Sequence, residues 1–328
     1  MKQLLSLVAL VFLLASCHVN YDKTKSGLVY KIFKGKGGES LHSGKFVKLD
    51  VEYKLDGKDS ILNSTYGKIP VFGVVDTSSR YAYSYMELLP RLQVGDSAEF
   101  VISIDTLKSR NLIPDYNEVF KKGRNIKCRL HILKAYNNEA DIKADYDKEI
   151  ALESEREVKE LEALVAKKGI KTQKSKNGVL VEIETPGDAA NKGDTGKVVS
   201  VLYKGYLVDG KVFDTNLDSS KGHTGAYDVT LGQSPVIQGW QEGLPFFGKG
   251  GKGKLYIPAM LGYGMKGMQG AIPPYANLIF DVEITDVKTA PPAAPQQQNP
   301  YGNLTPQQLQ QLQQQMQQKQ QQSQQQHK

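Results

Sequence analysis

The chain predicts an α+β protein with two domains, each an antiparallel sheet wrapped over a short helix, joined by a long helix. Three observations predict it. Residues 199–287 alternate β-branched and aromatic side chains with glycine-rich turns, the pattern of short paired strands. A charged run at 138–168 contains neither glycine nor proline and carries apolar residues at helical spacing. The strand order of the second half also occurs in the first, about 150 residues earlier, which suggests duplication of one domain. At 328 residues with 40% hydrophobic content, the chain is long enough for two cores.

The N-terminus reads as a targeting segment. Lys2 supplies the positive start, residues 4–14 are apolar, and Leu14-Ala15-Ser16-Cys17 follows. Residues 1–16 are expected to be a secretory signal, too short to span a membrane permanently. The Leu-Ala-Ser-Cys ending resembles a bacterial lipobox, which implies lipidation of Cys17 and a lipidated polar tether over 17–26. An ordinary signal peptide with an incidental cysteine is the plainer alternative. Localisation would then be the cell envelope, lipid-anchored on the periplasm-facing outer membrane, with the extracellular face also open.

Composition excludes several classes. The net charge of +7 is spread out, with no basic run interleaved with aromatics, so nucleic acid is not an expected partner. The second of two cysteines, Cys128, lies on the apolar face of Ile126-Lys127-Cys128-Arg129-Leu130 and reads as a buried structural residue. Five histidines without tight ligand spacing predict no metal, and no cofactor is expected.

Within 27–137 the first domain is expected, then a helical linker over 138–169. Ile142, Tyr146, Ile150, Val158, Leu161 and Val165 form its partial apolar stripe, interrupted around Glu153 to Glu157. Acids crowd its start, and Lys167, Lys168 and Gly169 close it. Some thirty helical residues would extend about 45 Å, so the run reads as a semi-rigid spacer, with a dimerising coiled coil as the lesser alternative. The second domain is expected over 170–290. Residues 291–328, proline- and then glutamine-rich, cannot bury a core and are expected to be disordered.

The repeat pairs Val51-Glu52-Tyr53-Lys54 with Val201-Leu202-Tyr203-Lys204, and Asp56-Gly57-Lys58 with Asp209-Gly210-Lys211. Residues 92–102 pair with 247–257, and 126–133 with 278–285. Where the second copy has Phe213, Asp214, Trp240 and Phe280, the first has Leu62, Asn63, Tyr85 and Cys128. Those walls are smaller and more polar, so the first copy is expected to keep the fold and lose any activity the second has.

In the second copy, Val236, Ile237, Trp240 and Leu244 recur at helical spacing, so one face of a short helix lies on the sheet. Gly262-Tyr263-Gly264 and 267–270 make a flexible loop that Pro273-Pro274 stiffens on its return. With Phe213 beside Asp214, these residues suggest a small apolar cup with few polar groups. Ordinary packing is the plainer reading of any one of these aromatics taken singly.

As an ordered set, over roughly 178–288, these motifs resemble the FKBP-type peptidyl-prolyl cis-trans isomerase domain. The resemblance implies that Tyr203, Phe213, Tyr227, Val236, Ile237, Trp240, Ile272 and Phe280 bind substrate. It implies that the Ile237 amide meets a ligand carbonyl. Asp214, Tyr263 and Phe213 would carry the catalytic roles. Implied partners are proline-containing unfolded or exported polypeptides and FK506-like macrolides. A non-catalytic holdase or scaffold is the alternative function. The chain departs from the family at Met268 and Ala271, where histidine and a larger aliphatic are frequent. It departs also at Pro235, and in 217–225, which shows no counterpart of the family's arginine beside the aspartate.

Overall fold

The computed structural model describes residues 21–57 and 60–289. The expected signal at 1–16, Cys17 and the tail at 291–328 lie outside the described residues. The chain divides into two compact units, one ending at Arg156 and the other beginning at Glu157. Among the described residues no helix is long and apolar enough to cross a membrane.

In the first unit β1 (Asp22–Lys23), β2 (Val29–Phe33), β3 (Phe46–Leu55), β4 (Ile61–Ser64), β5 (Val71–Val74) and β6 (Ser97–Ser103) precede α1 (Ile104–Ser109) and β7 (Asn125–Tyr136). They form an antiparallel sheet in the order β1-β2-β6-β7-β3-β4, with β5 also on β3. Residues 22–26, expected as tether, belong to this unit instead. Asp22 and Lys23 pair with Tyr30 and Val29, and the Thr24 and Ser26 hydroxyls donate to Glu87 at 2.8 and 2.5 Å. Backbone pairing and these bonds hold what reads as a polar, structureless sequence.

α2 (Glu139–Lys167) is one helix. Asn138 Oδ1 accepts from the Asp141 N–H at 2.9 Å, and Glu139 and Asp141 face the positive end of the helix dipole. Gly169 (φ 68°) ends it, with Ile170 N–H returning to Val165 O. Its first turns pack on the first unit: Tyr146 meets Phe72 edge to face at 5.3 Å, and Lys48 pairs with Glu149 at 2.7 Å. The interruption at Glu153 to Glu157 is not a solvent face, because both acids are buried. Glu153 pairs with Arg156, which also donates to Gly67 O, and Glu157 accepts from the Met260 N–H at 2.9 Å. The helix from Glu157 on therefore counts with the second unit, where the sequence placed a bare spacer.

The second unit comprises β8 (Gln173–Lys174), β9 (Leu180–Thr185), β10 (Lys197–Leu207), β11 (Val212–Thr215), β12 (Tyr227–Thr230), α3 (Gln238–Gly243), β13 (Lys252–Ile257) and β14 (Leu278–Thr289). Its order, β8-β9-β13-β14-β10-β11 with β12 also on β10, repeats that of the first sheet. Both faces are covered. Val201, Leu244, Leu255 and Phe280 belong to the inner core with α3, while Tyr256 and Ile279 pack outward with Leu161 and Val165 of α2. Consecutive residues such as Leu278-Ile279-Phe280 are therefore all buried, rather than alternating. Gly178 (φ 106°) lets α2 approach, since a Cβ there would stand 2.3 Å from Val158 Cγ2.

The registers correct the repeat alignment. The β3–β7 pairing shifts between Lys48 and Leu49, and the β10–β14 pairing between Ser200 and Val201. The hairpins to β4 and β11 shift after Tyr53 and after Gly205. Tyr53 thus matches Gly205, and Val51 matches Tyr203, two residues from the match that the Val-x-Tyr-Lys motif suggests. The matches of Asn63 with Asp214 and of Cys128 with Phe280 agree with the registers.

Candidate functional site

β10 carries the first part of the site. Its inward residues are Val201, Tyr203 and Gly205, in step with Ile284, Val282 and Phe280 of β14. Glycine at 205 is required by packing: a Cβ there would lie 2.7 Å from both the Phe213 and Phe280 rings. Without it those rings meet edge to face at 5.5 Å. Trp240, on α3, stands edge to face with Tyr203 at 5.0 Å and with Phe280 at 5.3 Å. The four rings form the floor and wall of a cavity of about 580 Å³, in the range of small-ligand sites.

Tyr203, Phe213, Asp214, Tyr227, Val236, Ile237, Trp240, Tyr263 and Phe280 all line this cavity. Ile272 does not: it is buried in the inner core, where its backbone pairs with Met268 in both directions, at 2.8 and 2.9 Å, and closes the loop that carries Tyr263. Trp240 Nε1 is a buried donor with no hydrogen-bond partner among the described residues. Ile237, just before α3, has extended backbone (φ −56°, ψ 146°).

Polar groups gather at one rim. The Tyr203 hydroxyl donates to Asp214 Oδ2 at 2.7 Å. Burial, and then that bond, push the Tyr203 hydroxyl well above its usual range, so it stays protonated. Burial raises the Tyr263 hydroxyl as well, with the Asp214 charge adding to it. Both phenols are therefore donors at neutral pH.

Two residues that the sequence reading passed over organise this rim. Asn216 is buried, its Oδ1 accepting from Tyr203 N–H at 2.6 Å while its Nδ2 donates to Val201 O at 2.9 Å and Gly225 O at 2.7 Å. It ties the 217–225 loop to β10. That loop brings His223 to the cavity, its Nε2 at 3.2 Å from Tyr203 Oη and 3.4 Å from Asp214 Oδ1. A nitrogen partner beside Asp214 is supplied from this loop, by histidine and not arginine. Asn216, directly after the Phe213-Asp214-Thr215 strand, carried a faint signal, since asparagine often hydrogen-bonds nearby backbone at turns.

A sequence model of the FKBP-type peptidyl-prolyl cis-trans isomerase matches residues 189–285. An FK506-binding protein of Neisseria meningitidis serogroup C is 48% identical over 92 residues, 28% of this chain and 81% of that protein. The chain belongs to the FKBP-type peptidyl-prolyl cis-trans isomerase family. The FKBP-type isomerase FkpA of Escherichia coli (strain K12) is 42% identical over 144 residues, 44% of this chain and 50% of FkpA. A probable FKBP-type isomerase of Haemophilus influenzae is 41% identical over 142 residues, covering 42% and 54%. The chain thus spans about half the length of these two longer FKBP relatives. Among the described residues no group of three or more His, Cys, Asp or Glu could hold a metal ion.

Proposed function

We propose that the second unit is a peptidyl-prolyl cis-trans isomerase acting on proline in unfolded or newly exported proteins. The observation that carries this reading is the apolar cup of Tyr203, Phe213, Trp240 and Phe280, with the Asp214 carboxylate at its rim. The planar X-Pro amide resists rotation by about 18–20 kcal/mol because resonance must be broken. Uncatalysed exchange takes on the order of tens to hundreds of seconds. As the bond twists, conjugation is lost and the carbonyl becomes less polar. A dry aromatic cup disfavours the polar planar form more than the twisted one, so binding is selective for the transition state. Tyr263 supplies a hydroxyl donor to a rotated carbonyl, and Asp214 keeps Tyr203 in place. The chemistry needs no nucleophile.

The test is cis/trans exchange of a short X-Pro peptide with the full chain, beside Phe213→Ala and Asp214→Ala. Acceleration by the native chain that both substitutions weaken supports the reading. No acceleration would refute it. FK506-like macrolides are expected to compete for the same cup, which inhibition of exchange checks.

A second reading, a holdase or scaffold with little turnover, is favoured by Tyr227 and Tyr263, which line the rim while 47% and 37% exposed. Peptide binding without exchange would select it.

For location, we propose lipidation at Cys17 and anchoring in the cell envelope, on the periplasm-facing outer membrane, which keeps the enzyme near emerging clients. Support comes from the order of positive start, apolar run and Leu14-Ala15-Ser16-Cys17. Incorporation of labelled fatty acid into the native chain, absent in Cys17→Ser, tests it. Surface labelling of intact cells distinguishes the extracellular face. Self-association through 138–168 is checked by the sedimentation behaviour of the chain.

A further inference from the structure

His223 touches the two polar groups that hold the cup's rim, and its chemistry at that spot is constrained. The Tyr203 hydroxyl has one hydrogen and gives it to Asp214 Oδ2 at 2.7 Å. What His223 Nε2 meets at 3.2 Å is therefore a lone pair of Tyr203 Oη, and at 3.4 Å another oxygen of Asp214, Oδ1. Both are acceptors, so Nε2 carries a hydrogen and donates. In the neutral ring this fixes the tautomer; in the protonated ring the contact with Asp214 becomes an ion pair.

We propose that His223 is a positioning residue that couples the hold on Asp214 and Tyr203, and with it peptide handling, to pH. The proposal rests on the reading of the second unit as an isomerase. Histidine changes charge between about pH 5 and 8, the interval in which an arginine would stay fixed. The ring is 46% exposed and so exchanges protons with solvent readily. The ring touches Asp214 from β11 and Tyr203 from β10, and Tyr227 from β12 and Tyr263 from the loop after β13 line the same cavity. On its own loop, Asp218 is engaged by the Ser220 N–H at 2.8 Å, and Lys221 is exposed. Asp214 is the carboxylate in contact with the ring, so protonation strengthens that contact above all.

The sign follows. On the acid side the imidazolium adds charge to the bond and orders Asp214 and Tyr203. On the basic side only a neutral N–H bond remains. The rim is partly solvated, so the expected change is modest: kcat/KM for an X-Pro peptide falls about threefold from pH 5.5 to pH 8.

The test compares the full chain with H223A and H223R at both pH values, using two readouts. One is kcat/KM with kcat and KM resolved. The other is the carboxyl carbon resonance of Asp214 by NMR, followed against pH without substrate. In the native chain the Asp214 signal should show a step in the histidine range. H223A should lose the step and lower kcat/KM chiefly at pH 5.5. H223R should lose the step and keep the acid-side activity at both values. An unchanged profile in H223A, or a step that persists in H223R, overturns the proposal. If the native chain shows no turnover, the isomerase reading falls, while the Asp214 signal still decides the role of His223.

Discussion

Over Gly205, in the second unit, pack the rings of Phe213 and Phe280, which wall the cavity. At the same register position in the first unit stands Tyr53, against Phe100 edge to face at 6.3 Å. Burial pushes its hydroxyl far up, with Tyr85 and Cys128, the counterparts of Trp240 and Phe280, as neighbours. The two units share strand order and hairpin irregularities. They differ in what packs at this register position. Over Gly205 lie the Phe213 and Phe280 rings, whereas in the first unit, with Cys128 in place of Phe280, the Tyr53 ring itself packs on Phe100. The first unit therefore has not only different walls, as composition suggested, but also a phenol of its own at this position. The glycine-to-tyrosine difference and the changed wall residues together distinguish the two copies.

The sharpest way to break this comparison is Gly205→Tyr. It should abolish exchange by about 100-fold or more, because a side chain there displaces the Phe213 and Phe280 rings that wall the cup. The sheet should survive, seen as unchanged far-UV circular dichroism, at an overpacking cost of about 1–3 kcal/mol. Near-native exchange in this variant would show that the cup is not where peptide binds.

The converse change, Tyr53→Ala, should cost the first unit about 3–5 kcal/mol in denaturant unfolding by leaving a cavity. It should confer no isomerisation, since Asn63 and Cys128 stand where Asp214 and Phe280 would be needed. A negligible loss would mean that Tyr53 is not packed as described.

Asn216→Ala isolates the loop that only the second unit uses. It strands buried backbone groups of Tyr203 and Val201 and releases Gly225, so about 1–3 kcal/mol of stability should go, measured by thermal unfolding. Exchange should fall with it, as His223 loses its place.

The smallest effect concerns the first unit's hold on α2. The Tyr136 hydroxyl, and then Lys134 and Lys48, lower the Asp145 carboxyl to about 2 from 3.8. A carboxyl lowered on folding contributes stability above its ordinary value and loses it as pH falls through the folded one. Hydrogen exchange at residues 140–150 should therefore quicken between about pH 4 and 2, by about 1 kcal/mol for a cluster with one exposed member, Lys134. Asp145→Asn should remove that acid dependence.

Much of this was legible in the chain. Alternation and glycine turns located the strands, and a glycine-free run located α2, because local periodicity determines both. The aromatics that share the cavity stood out as a set. Register did not stand out: the Val-x-Tyr-Lys motif aligned the two tyrosines, whereas irregularities beside Lys48 and Tyr53 place them two residues apart. Glu153 and Glu157 read as surface because charge usually does, yet each is buried against a specific donor. His223 reaches the site through a loop whose path Asn216 determines, and no spacing rule encodes that path. Ile272, expected at the cup, is drawn into the core by the tight turn it shares with Met268.

Glu157 also defines what can be cut away. Its carboxylate receives the Met260 N–H, and Glu160 receives Asn277, whose own oxygen holds the Ala259 N–H. These are the two footings of the loop that lifts Tyr263 over the cup. The family-matched segment begins at residue 189, so a fragment trimmed to it would retain every cup residue and lose the bracket under its lid. An excision that keeps this bracket starts no later than Glu157, inside the helix.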